Sequence, residues 1–283
     1  MKVAYFGCDL FMGCLAVFAA NKHDVVTIFT AGCQSNNEKL RLYADQKSIN
    51  CIHEKPTKQH IEALEKSGVE CMFSVEYPYL IPSPSEKVMT LNMHPTMLPN
   101  GRGATPLSWL ILQYREDAGV TFHKLAPQFD EGDIVFQAPL TLDDDEGFES
   151  LLVKLHYKIP HYLNTVLADL PTYYHNALKQ SGGSYWPKMT LQDRLLNWKK
   201  GLDDIQQVIR AFGRFGVVCC VDGEVWDVNH VEVGRMQHLL DPGTLISNDH
   251  DICVIAVSGG IVVIFKGSIT ERCKLSESVL SGV

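Results

Sequence analysis

The sequence has no pair of cysteines at the C-x-x-C spacing that structural zinc sites and redox-active disulfides use. Its nine cysteines are odd in number, scattered, and mostly inside apolar runs such as ECMFSV and VVCCVDG. Cysteines of this kind are typical of small core residues in a reducing compartment. We therefore expect free thiols and a cytoplasmic protein. The cysteines are at positions 8, 14, 33, 51, 71, 219, 220, 253 and 273.

Long apolar runs and an excess of positive charge are also missing. No window approaches the length of about 20 residues that a membrane-spanning helix needs, and Gly7 and Asp9 interrupt the N-terminal run too early for a secretory signal. Lys and Arg number 25 against 33 Asp and Glu, which gives a net charge of −8. We expect neither a membrane nor a nucleic acid as partner.

Two common cofactor signatures are absent as well. The segment FGCDLFMG after the first apolar run lacks the second and third glycines of a dinucleotide fingerprint, and it has Asp9 where a phosphate would approach. This argues against a nicotinamide cofactor. No two of the eleven histidines have H-x-x-x-H spacing, so we expect no metal.

Apolar periodicity in the first part of the chain alternates between strand and helix. The expected elements are a strand at 2–6, a helix, a strand at 25–30, helices near 37–48 and 57–67, a strand at 71–77, and a strand TLNMHP that ends at His94. Strands that alternate with helices indicate an α/β domain with a doubly wound, Rossmann-like parallel sheet.

The second part begins with a helix over 105–114, opened by Thr105 as cap and Pro106 at its first position. Strands at 119–125 and 133–142 should then form a hairpin-like excursion. A long helical stretch from about 146 to 179 and a linker SGGS at 181–184 follow. Short strands separated by Asp-Gly and Gly-Gly turns predict a small β-rich domain, so we expect domains at 1–184 and 185–283.

The stretch LNMHPTMLPNGRG at 91–103 carries the chemistry that the sequence suggests. Asn92 and His94 are two apart, so on a strand both point to one face, and the ligand crevice of such a sheet lies at the carboxyl ends of its strands. Asp130, in QFDEG, could reach them across that crevice. Ser and Cys are absent from the motif, so the set suits direct attack by a substrate amine on an activated acyl group.

These residues carry a resemblance to a known family. Asn-x-His-Pro-Thr-Met-Leu-Pro-x-x-Arg-Gly, followed by Gly-Val-Thr-x-His and Phe-Asp-x-Gly-Asp-Ile, resembles the folate-dependent formyltransferases, which include methionyl-tRNA formyltransferase and the sugar N-formyltransferases. YWPKMTLQDRLLNW at 185–198 is similar to the family's link segment, and IRAFGRFG at 209–216 to the helix before its C-terminal barrel. The likeness is greatest to enzymes that act on nucleotide-linked amino sugars.

The resemblance implies roles for particular residues. Asn92, His94 and Asp130 would be catalytic, and N10-formyltetrahydrofolate would be the formyl donor. The donor would contact two segments, namely Tyr79, Leu80 and Ile81, and Ala126, Pro127, Gln128, Phe129 and Asp130. Tyr77, Arg102 and Gly103 would border the acceptor. This sequence departs from the family at Thr96, where Ser is usual, and at Gly101, where an aromatic residue often precedes the arginine.

The resemblance leaves the acceptor open. It implies a nucleotide-linked amino sugar used for a cell-surface polysaccharide, a small OB-like β-barrel as second domain, and allows a homodimer. Initiator methionyl-tRNA and a hydroxylated amino acid are alternative acceptors, and a non-catalytic folate-binding module is a further alternative. Residues 191–283 hold nine Lys and Arg against twelve Asp and Glu, and this negative balance does not favour tRNA.

Overall fold

The computed structural model describes residues 1–31 and 37–274. Its main sheet has seven strands in the order β3-β2-β1-β4-β5-β6-β7. The first five strands are parallel, and β6 and β7 are antiparallel. The strands are β1 Lys2–Phe6, β2 Asp24–Phe29, β3 Asn50–Ile52, β4 Cys71–Val75, β5 Met89–Thr96, β6 Ala118–His123 and β7 Ile134–Pro139. The doubly wound sheet and the hairpin-like excursion are confirmed.

Alternating apolar side chains fill both faces of this sheet. Ala4 and Phe6 of β1 pack on one face, in a cluster with Ile61 and Leu64. Tyr5, between them in the chain, packs on the other face against Phe73 of β4. This period of two is what buries a parallel sheet on both sides.

Seven helices accompany the strands in the described ranges. They are α1 Gly13–Ala20, α2 Glu38–Lys47, α3 Lys58–Lys66, α4 Pro106–Leu112, α5 Phe148–Leu167, α6 Leu170–His175 and α7 Leu202–Phe212. Thr57 begins α3 with a capping box, in which its side chain accepts from the His60 N–H and the His60 ring accepts from the Thr57 N–H. A strong local start signal of this kind explains why the helix near 57–67 was predictable.

The long helix predicted over about 146–179 is two helices. The chain leaves the first helix at Leu167, and the Asp169 side chain then accepts from the Thr172 N–H to start α6, with Pro171 in its first turn. An Asp cap followed by Pro in the first turn is a helix-start signal. It outweighs the apolar pattern that continues through 146–179 and had suggested one helix. The strand β3 was not predicted, because three residues are too few to show a period.

Asp9 has a structural role that its position suggested only in part. Its carboxylate accepts hydrogen bonds from the N–H groups of Lys39, at 3.1 Å, and Leu40, at 2.8 Å. These donors belong to the first turn of α2, so Asp9 caps N–H groups that have no partner within that helix.

The chain divides into two compact units. The first comprises Met1–Pro106, Glu116–Thr141 and Leu152–Pro187, and the second comprises Leu107–Arg115, Leu142–Leu151 and Lys188–Val283. The second unit contains α7 and the small β domain expected from the sequence. Its strands are β8 Val217–Val221, β9 Glu224–Val228, β10 Val231–Arg235, β11 Leu245–Asn248, β12 Ile252–Val257, β13 Gly260–Phe265 and β14 Ile269–Lys274.

Antiparallel pairing organises the small β domain into two sheets, with orders β10-β13-β12-β11 and β14-β9-β8. Alternate residues of these strands meet in one core with the inner face of α7, for example Cys219, Trp226, Ile255 and Ile205. Short strands of this kind bury one face only, which agrees with the alternating sequence pattern.

The described residues contain free cysteines and no helix that could span a membrane. Seven cysteines are free thiols, namely Cys8, Cys14, Cys51, Cys71, Cys219, Cys220 and Cys253. Cys33 and the side chain of Cys273 lie outside the described part of the chain. Among the helices given above, none combines the length and the apolar character needed to cross a bilayer.

Candidate active site

Strand β5 places the two polar residues of the N-x-H motif. Asn92 pairs with Ser74 near the end of β4, and β5 continues beyond that edge through His94 to Thr96. On its other side β5 pairs with β6, so Asn92 lies opposite His123 and His94 opposite Thr121. The motif therefore stands at the carboxyl-end edge of the parallel strands, where an open α/β sheet binds its ligands.

His94 is buried, and each of its ring nitrogens faces one partner. Nε2 lies 2.8 Å from the carbonyl oxygen of Gly101. Since a carbonyl oxygen only accepts, Nε2 carries the proton and donates it. Nδ1 lies 3.4 Å from Oδ1 of Asp130. Neutral His94 thus presents a lone pair on Nδ1, beside a carboxylate that would stabilise a proton arriving there.

The protonation of His94 is governed by two opposing effects. Burial lowers the pKa of His94, and the Asp130 carboxylate and the hydrogen bond to Gly101 raise it, with a net shift below the ordinary histidine value. His94 is therefore neutral at neutral pH. It can take up a proton during a reaction, because Asp130 is already in place to stabilise the imidazolium.

Asp130 is buried and ionised. Burial alone raises the pKa of its carboxyl, but the neighbouring imidazoles of His94 and His123 and the N–H of Gly103 outweigh it and lower the pKa to about 2. The Gly103 N–H donates to Oδ2 at 3.1 Å. The backbone of Asp130 has φ 60°, a left-handed conformation uncommon for a residue with a side chain and often associated with functional sites.

His123 completes the cluster, and sequence reasoning missed it. Its Nδ1 donates to the carbonyl oxygen of Lys124 at 2.8 Å, so Nε2 is the acceptor of the neutral ring and lies 3.0 Å from Nδ2 of Asn92. Nε2 is also 3.6 Å from Oδ1 of Asp130. The signal was present in the motif Gly-Val-Thr-x-His, because antiparallel pairing places His123 opposite Asn92.

The loop between β5 and α4 contacts His94 through the Gly101 carbonyl oxygen. This loop in turn contacts the segment predicted as a linker and the residues that follow it. The Gly101 N–H donates to Ser184 Oγ at 3.0 Å, and the Trp186 N–H donates to the Arg102 carbonyl oxygen at 2.8 Å. Gly101 has φ 74°, and a Cβ added there would lie 2.6 Å from the Trp186 ring. The Trp186 indole thus packs where the family often has an aromatic residue in the loop.

Arg102 faces the same segment. Its Nε and Nη2 donate to Oε1 of Gln180 at 3.1 and 2.9 Å, and Nη2 also donates to the carbonyl oxygen of Gly182 at 3.1 Å. Gln180 in turn donates to the carbonyl oxygens of Asp130, at 2.8 Å, and Gly132, at 2.7 Å. Arg102 and Gln180 therefore connect the loop that contacts His94 through Gly101 with the loop that carries Asp130. An acceptor-binding role for Arg102 stays a prediction.

The two segments expected to contact folate are close together. Leu80, Ile81 and Pro127 line one groove of about 830 Å³. Phe129 exposes about half of its side-chain surface, and Pro127 and Gln128 are exposed as well, so this loop presents its side chains to solvent. Tyr79 is half-buried and packs edge-on against Tyr77, and Ala126 is half-buried.

The other two residues expected near the acceptor, Tyr77 and Gly103, also have structural contacts. Tyr77 is buried, packs edge-on against Phe6, and its hydroxyl donates to the Glu54 carbonyl oxygen at 3.4 Å. Gly103 has φ 129°, and a Cβ there would lie 2.3 Å from the Trp186 carbonyl oxygen. Within the described residues no cluster of His, Cys, Asp or Glu has the geometry to hold a metal ion.

Together these groups form a compact acid-base site. It offers an amide donor on Asn92, a neutral imidazole on His94 and a buried carboxylate on Asp130 that stabilises a proton on that imidazole. Such a set can stabilise an oxyanion and move a proton between two nitrogen atoms.

Comparison with known proteins identifies the family. The chain matches Formyl transferase over residues 18–167, more than half of its length, and Formyl transferase, C-terminal domain over residues 188–278. It belongs to the folate-dependent formyltransferase family. The resemblance noted in the sequence is thereby confirmed, and the protein is a formyltransferase.

Relatives of this formyltransferase differ in the names that they carry. A methionyl-tRNA formyltransferase of Coprothermobacter proteolyticus is 26% identical, over 93% of this chain and 91% of the relative. An N-formyltransferase from Helicobacter canadensis, solved with folinic acid and dTDP-3-aminofucose, superposes with a TM-score of 0.66 at 17% identity, over 93% of this chain and 98% of its own.

A third similar structure is a variant of HypX from Aquifex aeolicus. The two superpose with a TM-score of 0.67 at 16% identity. The alignment covers 98% of this formyltransferase but only 46% of HypX. At these identities the two solved structures show a shared fold.

Proposed function

We propose that this formyltransferase moves the formyl group of N10-formyltetrahydrofolate to the amine of a nucleotide-linked amino sugar. The neutral amine attacks the formyl carbon and forms the new C–N bond. The bond from that carbon to N10 of the folate then breaks, and the amine's proton passes to N10. No covalent enzyme intermediate is needed, because the donor is already activated.

Asn92, His94 and Asp130 share this reaction as follows. The Asn92 amide donates one hydrogen bond to His123 Nε2. Its other contact, with the Met93 carbonyl oxygen, is 3.4 Å long and therefore weak, so this second N–H can donate to an oxyanion instead. His94 is also assigned to the oxyanion, which requires Nε2 to leave the Gly101 carbonyl oxygen. Asp130 holds His94 and supports the proton relay from the amine to N10.

Charge pairing in the second unit supports a small acceptor over tRNA. Arg194 lies 2.6 Å from Asp227, Arg214 lies 3.1 Å from Glu149, and Arg235 pairs with Asp203. Cations that are neutralised within the unit contribute little to binding a phosphate backbone. This pairing, with the net negative charge of residues 191–283, is the observation on which the acceptor assignment depends.

Initiator methionyl-tRNA is the second candidate acceptor. It is favoured by the methionyl-tRNA formyltransferase of C. proteolyticus, which aligns with nearly the whole chain. The sugar N-formyltransferase from H. canadensis has the same fold and a comparable length, which favours the sugar. A hydroxylated amino acid is a third acceptor class, for which the described residues offer no particular support.

An acceptor screen tests the proposal. The purified protein is mixed with N10-formyltetrahydrofolate and, in turn, with UDP-, dTDP-, GDP- and CMP-linked amino sugars, a hydroxylated amino acid and initiator methionyl-tRNA. Tetrahydrofolate release is followed by absorbance and the formylated product by mass spectrometry. We expect turnover with one of the sugar nucleotides. Turnover with tRNA alone would overturn the acceptor, and no turnover with any amine would contradict the assigned reaction.

The order of events provides a second check. Direct attack requires both substrates to be bound together, so folate release should need the acceptor, and double-reciprocal plots should intersect. A burst of tetrahydrofolate without acceptor would indicate a formylated enzyme and would contradict direct attack.

A further inference from the structure

Glu76 lies at the place in the main sheet where a ligand crevice is expected. β2 and β3 follow on one side of β1, and β4 and β5 lie on the other side, so the winding of the sheet reverses between β1 and β4. Open α/β sheets bind ligands outside the carboxyl ends of the strands at such a reversal. Glu76 is the first residue after β4, which ends at Val75. It therefore borders the expected crevice.

The pairing of β4 with β5 brings Glu76 near the acid-base site. The two strands are parallel, and Ser74 pairs with Asn92 and Val75 with Met93. One residue further along each chain come Glu76 and His94. Neighbouring strands are about 4.8 Å apart. A small substrate that contacts one of these two residues can therefore reach the other.

The backbone of Glu76 has a conformation that is uncommon for a residue with a side chain. Its φ is 50°, in the left-handed region, as is the φ of 60° at Asp130. Glycine adopts this conformation without strain, and strained residues cluster at functional sites. A glutamate at this position therefore indicates that its side chain has a use.

The Glu76 side chain lines a cleft. Solvent reaches it, because the residue is exposed, yet desolvation by the surrounding protein raises the pKa of its carboxyl. Burial raises the pKa of the Cys8 thiol, just after β1, to about 11, and the nearby charges of Glu76 and Asp9 add to this shift. The carboxylate thus stands between the ends of β1 and β4.

Nothing in the described part of the chain neutralises the Glu76 carboxylate. Desolvation alone shifts its pKa, and none of the hydrogen bonds or ion pairs there involves its side chain. Asp9, the neighbouring acid, already accepts from two N–H groups of α2. An unpaired carboxylate in a cleft attracts cations and repels phosphate groups. It suits the amine of an acceptor rather than a diphosphate.

Formyl transfer to an amine leaves one proton without an acceptor in the site described above. An aliphatic amine is mostly an ammonium ion at neutral pH. Its nitrogen must lose two protons before the amide is complete. One passes to N10 of the folate with the help of His94 and Asp130. The other must leave earlier, because an ammonium ion has no lone pair with which to attack.

We propose that Glu76 binds the ammonium group of the acceptor and takes this first proton. The proton moves from the nitrogen to the carboxylate, and the lone pair left on the nitrogen attacks the formyl carbon. Glu76 returns the proton to solvent after product release, so one proton is released for each formyl group transferred. The proposal rests on the transfer to an amine proposed above, and it holds for any amine acceptor.

The pH dependence of kcat/KM for the acceptor found by the screen tests the proposal. From about pH 7 to the pKa of the amine, the unchanged protein uses the ammonium form, so kcat/KM should stay level. Glu76→Gln can use only the neutral amine, so its kcat/KM should rise about tenfold for each pH unit and approach the wild-type value above that pKa. Glu76→Asp keeps the carboxylate and should restore most of the level profile. Glu86→Gln, which removes an exposed carboxylate before β5, is the matched control.

Neighbouring groups keep their charge over this range. His94, with its lowered pKa, stays neutral, and Asp130, with a pKa of about 2, stays ionised. The Cys8 thiol, with a pKa of about 11, and the Tyr77 hydroxyl, whose pKa burial raises, stay protonated. A slope that appears only in the Glu76→Gln protein therefore reports the amine of the acceptor.

A binding measurement separates recognition of the charge from turnover. At about pH 7, calorimetry compares the acceptor with an analogue in which a hydroxyl replaces the amine. The unchanged protein should bind the amine about three- to tenfold more tightly, and Glu76→Gln should bind both alike. Affinity for 5-formyltetrahydrofolate should not change. Circular dichroism checks folding, and Glu76→Asn, whose side chain tolerates a left-handed backbone, replaces a Gln variant that does not fold.

Three outcomes would overturn the assignment. A wild-type pH profile in Glu76→Gln would show that Glu76 takes no proton from the acceptor. A loss of kcat/KM by one constant factor at every pH would indicate a structural role only. Equal binding of the amine and its hydroxyl analogue by the unchanged protein would remove the ammonium site. Lack of turnover by the unchanged protein with every amine is a different result, because it contradicts the formyl transfer itself and the role of Glu76 with it.

Discussion

Asn92 and His123 face each other across β5 and β6, with the amide nitrogen of Asn92 3.0 Å from Nε2 of His123. Because Nδ1 of His123 donates to its neighbouring backbone carbonyl, Nε2 can only accept in the neutral ring. The contact therefore fixes which way the Asn92 amide points, and its N–H groups are held toward the site.

The first prediction is that His123 positions Asn92. His123→Leu removes the acceptor and should lower kcat about three- to tenfold, the usual value of one hydrogen bond. His123→Gln can offer an amide oxygen near the same place and should restore most of that loss. Steady-state kinetics measures kcat for each variant. Folate affinity is measured as well, and it should stay nearly constant if His123 acts only by positioning Asn92. Equal kcat for the Leu and Gln variants would argue against positioning.

The second prediction concerns pH. The pKa of buried His94 lies below its ordinary value, and only neutral His94 can accept a proton, so activity should persist below pH 6.5 and fall as pH drops through that lowered pKa. Asp130 raises the His94 pKa, so Asp130→Asn should move the acid limb to still lower pH. The plateau kcat should also fall, because the imidazolium loses its carboxylate.

The measurement for the second prediction is kcat over a pH range for the two proteins. Glu131→Gln, which removes an adjacent exposed carboxylate, is the matched control and should keep the wild-type profile. An acid limb that moves to higher pH in Asp130→Asn would contradict the assigned direction.

Sequence reasoning named candidate residues for the site, but not the contacts that these residues make. Asn92 and His94 were predictable because a period of two and a strand end are local properties. The sequence named Asp130 as an acid that could reach these two residues, but it could not show the contact itself. The approach of Asp130 to His94 depends on a left-handed backbone in the loop and on Gln180, which is 50 residues away in sequence.

Tertiary contacts explain most of what the sequence did not predict. SGGS at 181–184 has linker composition, yet Ser184 accepts from the Gly101 N–H and thus supports the loop that holds His94. Arg102 looks like a substrate-binding cation, but Gln180 and Gly182 occupy several of its donors. Composition and spacing carry no information about such partners.

The third prediction is that Trp186 stabilises the loop between β5 and α4, which contains Gly101. Its side chain is only 3% exposed and packs on Gly101, whose carbonyl oxygen accepts from His94. Trp186→Ala should lower the free energy of unfolding by about 3–5 kcal/mol, as for other buried aromatic residues, and should also lower kcat.

Chemical denaturation measures the stability of the Trp186 variant. Tyr185→Ala is the control, because the neighbouring Tyr185 is 67% exposed and should change stability by less than about 0.5 kcal/mol. Trp186→Phe keeps an aromatic ring on Gly101, so it should fold and retain more kcat than the Ala variant. A Phe variant no better than Ala would show that ring packing is not the cause.

The fourth prediction tests the division of labour within the site. Loss of one oxyanion donor costs about 10²–10³-fold in turnover, so Asn92→Ala should lower kcat by about that factor and leave folate affinity nearly unchanged. His94→Ala should be at least as damaging, because it loses both the oxyanion contact and the proton acceptor.

Asn164→Ala, which removes an exposed asparagine amide on α5, is the matched control. Steady-state kinetics on the acceptor found by the screen gives the comparison, with folding checked by circular dichroism. Near wild-type kcat in a folded Asn92→Ala or His94→Ala protein would show that the formyl oxygen is stabilised by other groups.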